Sequence, residues 1–234
     1  MRLNEIHNTD LKLSNRVMND NFNKIFKSCQ PFLNRIDNEV KYYPMYRGLK
    51  IPKTVEIGVK AARLTNRTPK DSSPLIHDSF NRVFNEQYGH PYRNGVFASG
   101  DYHTAAAYGD GVYAIFPIGE FDYIWHEEIK DLYVMLAEHG NDLTYEYARI
   151  TRDINPEDEN FEEEFDKFVG EIDYGDLLEF AIKKYGDYHT QSSYDDLTAG
   201  ISCRAEIMVW TPKYYVMKPE YLEPFQQWIK RQSK

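Results

Sequence analysis

The sequence predicts an α+β fold. Short strand-like runs and amphipathic helical stretches follow one another without the regular alternation of a doubly wound parallel sheet. Hydrophobic residues make up 41% of the 234-residue chain and aromatics 15%, including 19 tyrosines, so a sizeable core can form and disorder is not expected over most of its length. Neither an internal repeat nor a low-complexity tract is present, and no linker separates two halves. The expected organisation is therefore a helical extension over residues 1–41 followed by one main domain over 42–234.

Residues 15–28 predict the first helix, with Val17, Met18, Phe22, Ile25 and Phe26 spaced three or four apart. Residues 31–40 predict a second, opened by Pro31 and carrying Phe32, Leu33 and Ile36. Residues 42–51 turn strand-like around Pro44. A well-marked helix follows: Ser72 or Ser73 caps it, Pro74 suits its first turn, Leu75, Ile76, Phe80, Val83 and Phe84 line one face, and Gly89 stops it. Residues 95–99 form a short strand, 104–108 a short alanine-rich helix, and 112–118 a strand broken by Pro117. An acidic helix is expected over 156–169, started by Asn155 and Pro156 and ended by Gly170, and another over 176–185, closed by Gly186. Residues 207–210 and 214–217 are strands joined at Thr211-Pro212-Lys213, and a last helix runs over about 219–231.

The net charge of −9 is unevenly spread. The first hundred residues carry 16 Lys+Arg against 9 Asp+Glu, the next hundred 6 against 25, and the remainder 6 against 3. The acidic total opposes generic nucleic-acid binding, while the basic first segment leaves room for one positive face. Two cysteines, Cys29 and Cys203, do not make a disulfide framework, so a reducing, cytoplasmic setting is expected. No apolar run is long enough for a membrane span, and the first residues lack the apolar core of a signal peptide. The histidines show no metal-ligand spacing, so no metal is expected. Neither a phosphate-binding P-loop nor a dinucleotide glycine fingerprint occurs, so a dinucleotide, if bound, is held by something other than a Rossmann fold.

Three separated stretches carry the chemistry: Tyr46-Arg47-Gly48, the run Gly95-Val96-Phe97-Ala98-Ser99-Gly100, and Arg204-Ala205-Glu206-Ile207-Met208-Val209. Each sets a polar residue in a strand-like apolar run. A guanidinium on a strand beside a glycine can approach a diphosphate closely and bind it through two parallel hydrogen bonds. The Ser99 hydroxyl can donate to or accept from a carboxylate or a ribose. Glu206 opens an apolar strand, where a carboxylate is costly unless something uses it. It follows Tyr194-Asp195-Asp196-Leu197-Thr198-Ala199-Gly200, a stretch suited to exposed turns. Taken singly, Arg47 and Ser99 are more simply a salt-bridging arginine and a turn serine.

In this order and setting, Arg47, Ser99 and Glu206 resemble the Arg–Ser–Glu group of ADP-ribosyltransferases, including those of toxins and phages. The resemblance spans about residues 42–217. It implies a split pair of small sheets with flanking helices, NAD as substrate, and loss of nicotinamide followed by transfer of ADP-ribose. Glu206 would stabilise the ribosyl cation, Ser99 would order the site, Arg47 and Gly48 would take the phosphate, and Tyr108 or Tyr113 would stack on nicotinamide. The acceptor would be macromolecular, selected by the loop containing Tyr194 and Asp195 together with Arg204, and an antitoxin or inhibitor protein is a conceivable partner. Arg204 stands where arginine-modifying members carry a second glutamate, so a non-arginine protein side chain or a nucleic-acid base is the expected acceptor. A non-catalytic interaction module of the same fold and an NAD glycohydrolase remain the alternatives.

Overall fold

The computed structural model describes residues 14–52, 54–65, 67, 73–129, 132–186, 188–190 and 197–232. In chain order the elements are α1 (Asn15–Ser28), α2 (Gln30–Arg35), β1 (Tyr46–Leu49), β2 (Ile57–Ala61), α3 (Pro74–Tyr88), β3 (Val96–Ser99), α4 (Tyr102–Ala106), β4 (Gly111–Pro117), β5 (Asp122–Trp125), α5 (Leu132–Arg152), α6 (Phe161–Glu171), α7 (Tyr174–Tyr185), β6 (His189–Thr190), α8 (Leu197–Ser202), β7 (Glu206–Trp210), β8 (Lys213–Met217) and α9 (Leu222–Gln232). The fold is α+β, as the interspersed pattern predicts.

The described strands form one open antiparallel sheet in the order β2-β8-β4-β1-β3-β7-β5-β6. Two separate small sheets are therefore not what forms. The sheet is nonetheless divided at its middle. Strands β2, β8, β4 and β1 share four or five registered pairs at each contact, and β3, β7 and β5 share four. Between β1 and β3 the only registered pair is Tyr46 with Ser99. The chain crosses this join repeatedly. Between β7 and β8 it does so in two residues, where the fully buried Thr211 donates its hydroxyl to the Lys213 carbonyl at 2.9 Å.

Local chemistry explains the helix ends. The Ser73 hydroxyl accepts from the Ile76 amide at 3.2 Å, Pro74 occupies the first turn, and Gly89 closes α3 at a φ of 84°. Asp101 starts α4 by accepting from Thr104 N at 2.7 Å, and Asp173 starts α7 by accepting from Gly175 N at 2.6 Å. Helix α2 stops at Arg35, before Asp37 and Asn38 enter the left-handed region, and so is shorter than its apolar pattern implies. Helix α6 starts at Phe161 and continues through Gly170 to Glu171, because a glycine ends a helix only when the backbone turns left-handed there, and Gly170 stays helical.

Two cores hold the sheet. Phe22 and Ile25 of α1 and Phe32 and Leu33 of α2 share one core with Phe116 of β4 and Phe225 of α9, and the Phe22 and Phe225 ring centroids lie 5.0 Å apart. The first helices are thus part of the main packing and not an appendage to it. On the far half-sheet, alternation sends Ile207 and Val209 into this core and Met208 into a second one, formed with Ile124, Phe80 and Phe84 of α3, and Leu177 and Leu178 of α7.

Helix α5 runs 21 residues through Gly140, in a stretch (His139-Gly140-Asn141-Asp142) whose composition reads as a turn. A Cβ at Gly140 meets nothing within 4 Å, whereas one at Gly48 in β1 would lie 2.2 Å from the Ala105 carbonyl oxygen. Substitution by alanine should therefore have opposite signs. Gly140→Ala should stabilise by roughly 0.5–1 kcal/mol through helix propensity, and Gly48→Ala should destabilise by about 1–3 kcal/mol through overpacking. Urea unfolding midpoints of the two variants check this.

Candidate functional site

The three motif strands meet at the join. Ser99 is registered with Tyr46 on β1 and with Glu206 on β7, so Tyr46, Ser99 and Glu206 form one row across three strands. Arg47 stands one position along β1 and leaves the strand on the other side from Tyr46. It crosses the split to donate from Nη1 to the Phe97 carbonyl at 2.6 Å. The buried Tyr214 hydroxyl is close enough to act on the Arg47 guanidinium electrostatically. Burial pushes the Arg47 pKa down, opposed by Tyr214. Its Nε is sealed from solvent with no hydrogen-bond partner.

Ser99 is 4% exposed and its hydroxyl is used locally. It donates to the Arg204 carbonyl at 3.3 Å and accepts from the Asp101 amide at 3.1 Å. The serine therefore ties the end of β3 to the start of β7 and to the first turn of α4. The adjacent Gly100 is required by the same closeness, since a Cβ there would lie 1.8 Å from the Ile201 carbonyl oxygen. The Glu206 carboxylate accepts from the Leu132 amide at the start of α5, at 3.1 Å, which places its negative charge on the positive end of that helix.

Other sequence-derived site residues fall differently. Tyr113 is 2% exposed, registered beside Arg47 inside β4, and offers no face on which a nicotinamide ring could stack. Strand β4 is buried on both sides, so alternation along it gives no sign of which tyrosine faces a cleft. Gly48 does not open a path to a phosphate. The room it leaves is filled by the backbone of Ala105, Tyr108 and Gly109, and it serves the packing of α4 against β1. Tyr108 is 53% exposed just after α4. Tyr194 and Asp195 lie outside the described residues. The rest of the expected exposed loop is helical: Leu197–Ser202 forms α8, with Leu197 and Ile201 buried in the main core.

Arg204 has a conformational role. It sits at a φ of 62°, with its amide bonded to the Ile201 carbonyl at 3.1 Å and the Ala205 amide bonded to the Gly200 carbonyl at 3.2 Å. These two bonds make a Schellman motif that ends α8, with an arginine at the position normally held by glycine. The side chain is 72% exposed and its Nη1 lies 3.5 Å from Asp101. The Thr104 amide first, and then Arg204, hold the Asp101 carboxyl below its usual range.

Sequence reasoning missed two cations. Arg67 donates from Nη1 to the Gly95 carbonyl at 2.5 Å and to the Arg93 carbonyl at 3.3 Å. Its guanidinium carbon lies 4.6 Å from the centre of the Phe97 ring, and that of Arg93 lies 5.1 Å from it. The Arg67 pKa is pushed down to about 10, by burial first and then by the like charges of Arg47 and Arg93, against the opposite pull of Glu206 and Tyr214. Arg93 stands in the 3-10 turn Tyr92–Asn94, which is anchored from α3. Buried His77 is 3.0 Å and the Asn81 amide 3.2 Å from the Asn94 side-chain oxygen. Neither arginine lies in an apolar run, so periodicity carries no signal for them.

No family model, curated protein or solved structure matches the chain. Among the described residues, no helix is long and apolar enough to cross a membrane, and no group of three or more His, Cys, Asp or Glu side chains is arranged to hold a metal ion.

Replacing Arg204 by glycine should relieve the left-handed strain, worth about 1–2 kcal/mol for an L-residue, less up to about 1 kcal/mol for the greater freedom of glycine in the unfolded chain. A higher unfolding midpoint for Arg204→Gly than for Arg204→Ala checks this, because both variants lose the same side-chain contact and only one loses the strain.

Proposed function

We propose that the protein is an NAD-dependent mono-ADP-ribosyltransferase with Arg47, Ser99 and Glu206 as its Arg–Ser–Glu group. The observation that carries this reading is the row Tyr46–Ser99–Glu206 at the point where the half-sheets join, with Arg47 bridging the same split to Phe97. Residues 47, 99 and 206 are far apart in sequence, and a sheet that brings them to one join supplies both a cation for phosphate and a carboxylate for a developing positive charge.

In the reaction, the bond between the nicotinamide nitrogen and C1″ of the ribose breaks, and its electron pair leaves with nicotinamide. The oxocarbenium-like ribose is stabilised by the Glu206 carboxylate, and a nucleophile on the acceptor adds to C1″ and loses its proton. Ser99 is a positioning residue, since its hydroxyl holds the Arg204 carbonyl directly before Glu206. Of the two tyrosines the sequence offers for stacking, Tyr108 is the exposed one, just after α4, and takes that role. With Arg204 in place of a second acidic residue, no neighbouring carboxylate two positions before Glu206 orients a guanidinium acceptor. A non-arginine protein side chain or a nucleic-acid base is the proposed target, with water the third possibility.

A second reading has its own support. The Glu206 carboxylate already accepts from the start of α5, which is what a structural helix cap does in a non-catalytic module of this fold. The two separate on one variant. In Glu206→Gln the amide oxygen can still accept from Leu132 N, so the fold should be retained, while the charge opposite the ribosyl cation is lost. Nicotinamide release from NAD should fall by about 10²-fold or more. Absence of nicotinamide release from the wild-type protein, with and without cell lysate, would leave the non-catalytic reading, and equal release by wild type and variant would remove Glu206 from the chemistry.

A further inference from the structure

Arg47, Arg67 and Arg93 converge on one side chain and one strand. Two of the guanidiniums lie against the Phe97 ring, and the third binds the Phe97 carbonyl. Elsewhere in the chain, Arg82, Arg152 and Arg204 meet carboxylates. Among the described residues, none of the three clustered arginines forms an ion pair. The hydrogen-bond acceptors of Arg47 and Arg67 are main-chain carbonyls. Both Arg47 and Arg93 keep an Nε that is buried and without a partner. Partly buried like charges of this kind repel one another, and an anion that enters between them offsets the repulsion and takes up guanidinium donors. A guanidinium has five donors in a planar fork, which suits phosphate oxygens better than a point charge does.

We propose that Arg67 and Arg93, together with Arg47, form a cradle over Phe97 that binds a diphosphate group, free or as part of a nucleotide. The choice of a diphosphate over a smaller anion rests on the NAD reading of the same site, where Glu206 stands on the margin of the cluster and acts on Arg67 electrostatically. Phe97 carries both outer guanidiniums against its ring, at 4.6 and 5.1 Å from the centroid. The His77–Asn81–Asn94 hydrogen bonds fix the turn that carries Arg93.

The test is isothermal titration of the folded chain with inorganic pyrophosphate, ADP and adenosine, with nicotinamide release from NAD measured in parallel. Wild type should bind pyrophosphate and ADP and not adenosine. Arg67→Gln and Arg93→Gln should each weaken both by about tenfold or more, the effect of losing one charged hydrogen bond. Thermal melting reports whether each variant folds, and Arg93→Lys, which keeps the charge, serves if Arg93→Gln does not. Binding of pyrophosphate but not ADP assigns the cradle to the free anion. Failure of wild type to bind either at millimolar concentration, affinities unchanged in Arg67→Gln and Arg93→Gln, or tighter binding of a single-stranded oligonucleotide than of ADP, overturns the proposal. Arginine-dependent ADP binding without nicotinamide release keeps the cradle and removes the transferase reading. Release whose KM ignores Arg67 and Arg93 does the reverse.

Discussion

One backbone pairing, Tyr46 with Ser99, decides where everything else in this molecule sits. The strands on either side of it pair over their full lengths, so each half-sheet is a rigid unit. The halves touch at a single register position, and one hydrophobic core, to which α1, α2 and α9 contribute, takes side chains from strands of both halves. A sheet joined at one point is free to turn its halves apart, and the residues next to the join then face a split instead of a flat surface. Arg47 spans this split to reach Phe97, and Glu206 ends the same row on β7. The close approaches around the join leave no room for side chains, which is why Gly48 abuts Ala105 and Gly100 abuts Ile201.

Charge is distributed against the overall composition. The chain has a net charge of −9, yet three arginines gather at the join, and the surplus acids lie mainly in the second hundred residues, including the exposed first turn of α6. Holding Arg47, Arg67 and Arg93 close together raises the energy of the unliganded fold, because Arg47 and Arg67 are desolvated and Arg67 is repelled by the other two. Carbonyls, the Phe97 face and Tyr214 offset part of that cost. Glu206 adds a negative charge at the margin while its carboxylate also serves the start of α5. The same residue thus carries a structural and a proposed chemical role, and conservative replacement at that position separates the two.

How far the sequence disclosed this arrangement depended on how local the signal was. Caps and stops are written in neighbouring residues, so Ser73, Pro74 and Gly89 frame α3 as expected, and β3 and β7 are recognisable as apolar runs with one polar residue. Helix α5 was hidden by Gly140 and Asn141, whose composition signals a turn, although Leu132, Met135, Leu143 and Ala148 on either side of them are buried. Helix α8 was hidden by the polar residues preceding it, and the burial of Leu197 and Ile201 shows why it folds. Arg47, Ser99 and Glu206 were legible because each interrupts an apolar run. Arg67 and Arg93 occupy polar segments where an arginine is ordinary, and only the fold brings them to Phe97. Tyr113 misled because a strand buried on both faces gives its side chains no distinguishing periodicity.

The measurement that bears most directly on this account is a crystal structure of the protein with ADP-ribose. The account predicts that the diphosphate lies between the guanidiniums of Arg47, Arg67 and Arg93, and that C1″ of the terminal ribose faces the Glu206 carboxylate across the Tyr46–Ser99 join. A ligand bound elsewhere on the molecule, or one held at the arginines with its terminal ribose directed away from Glu206, would contradict it.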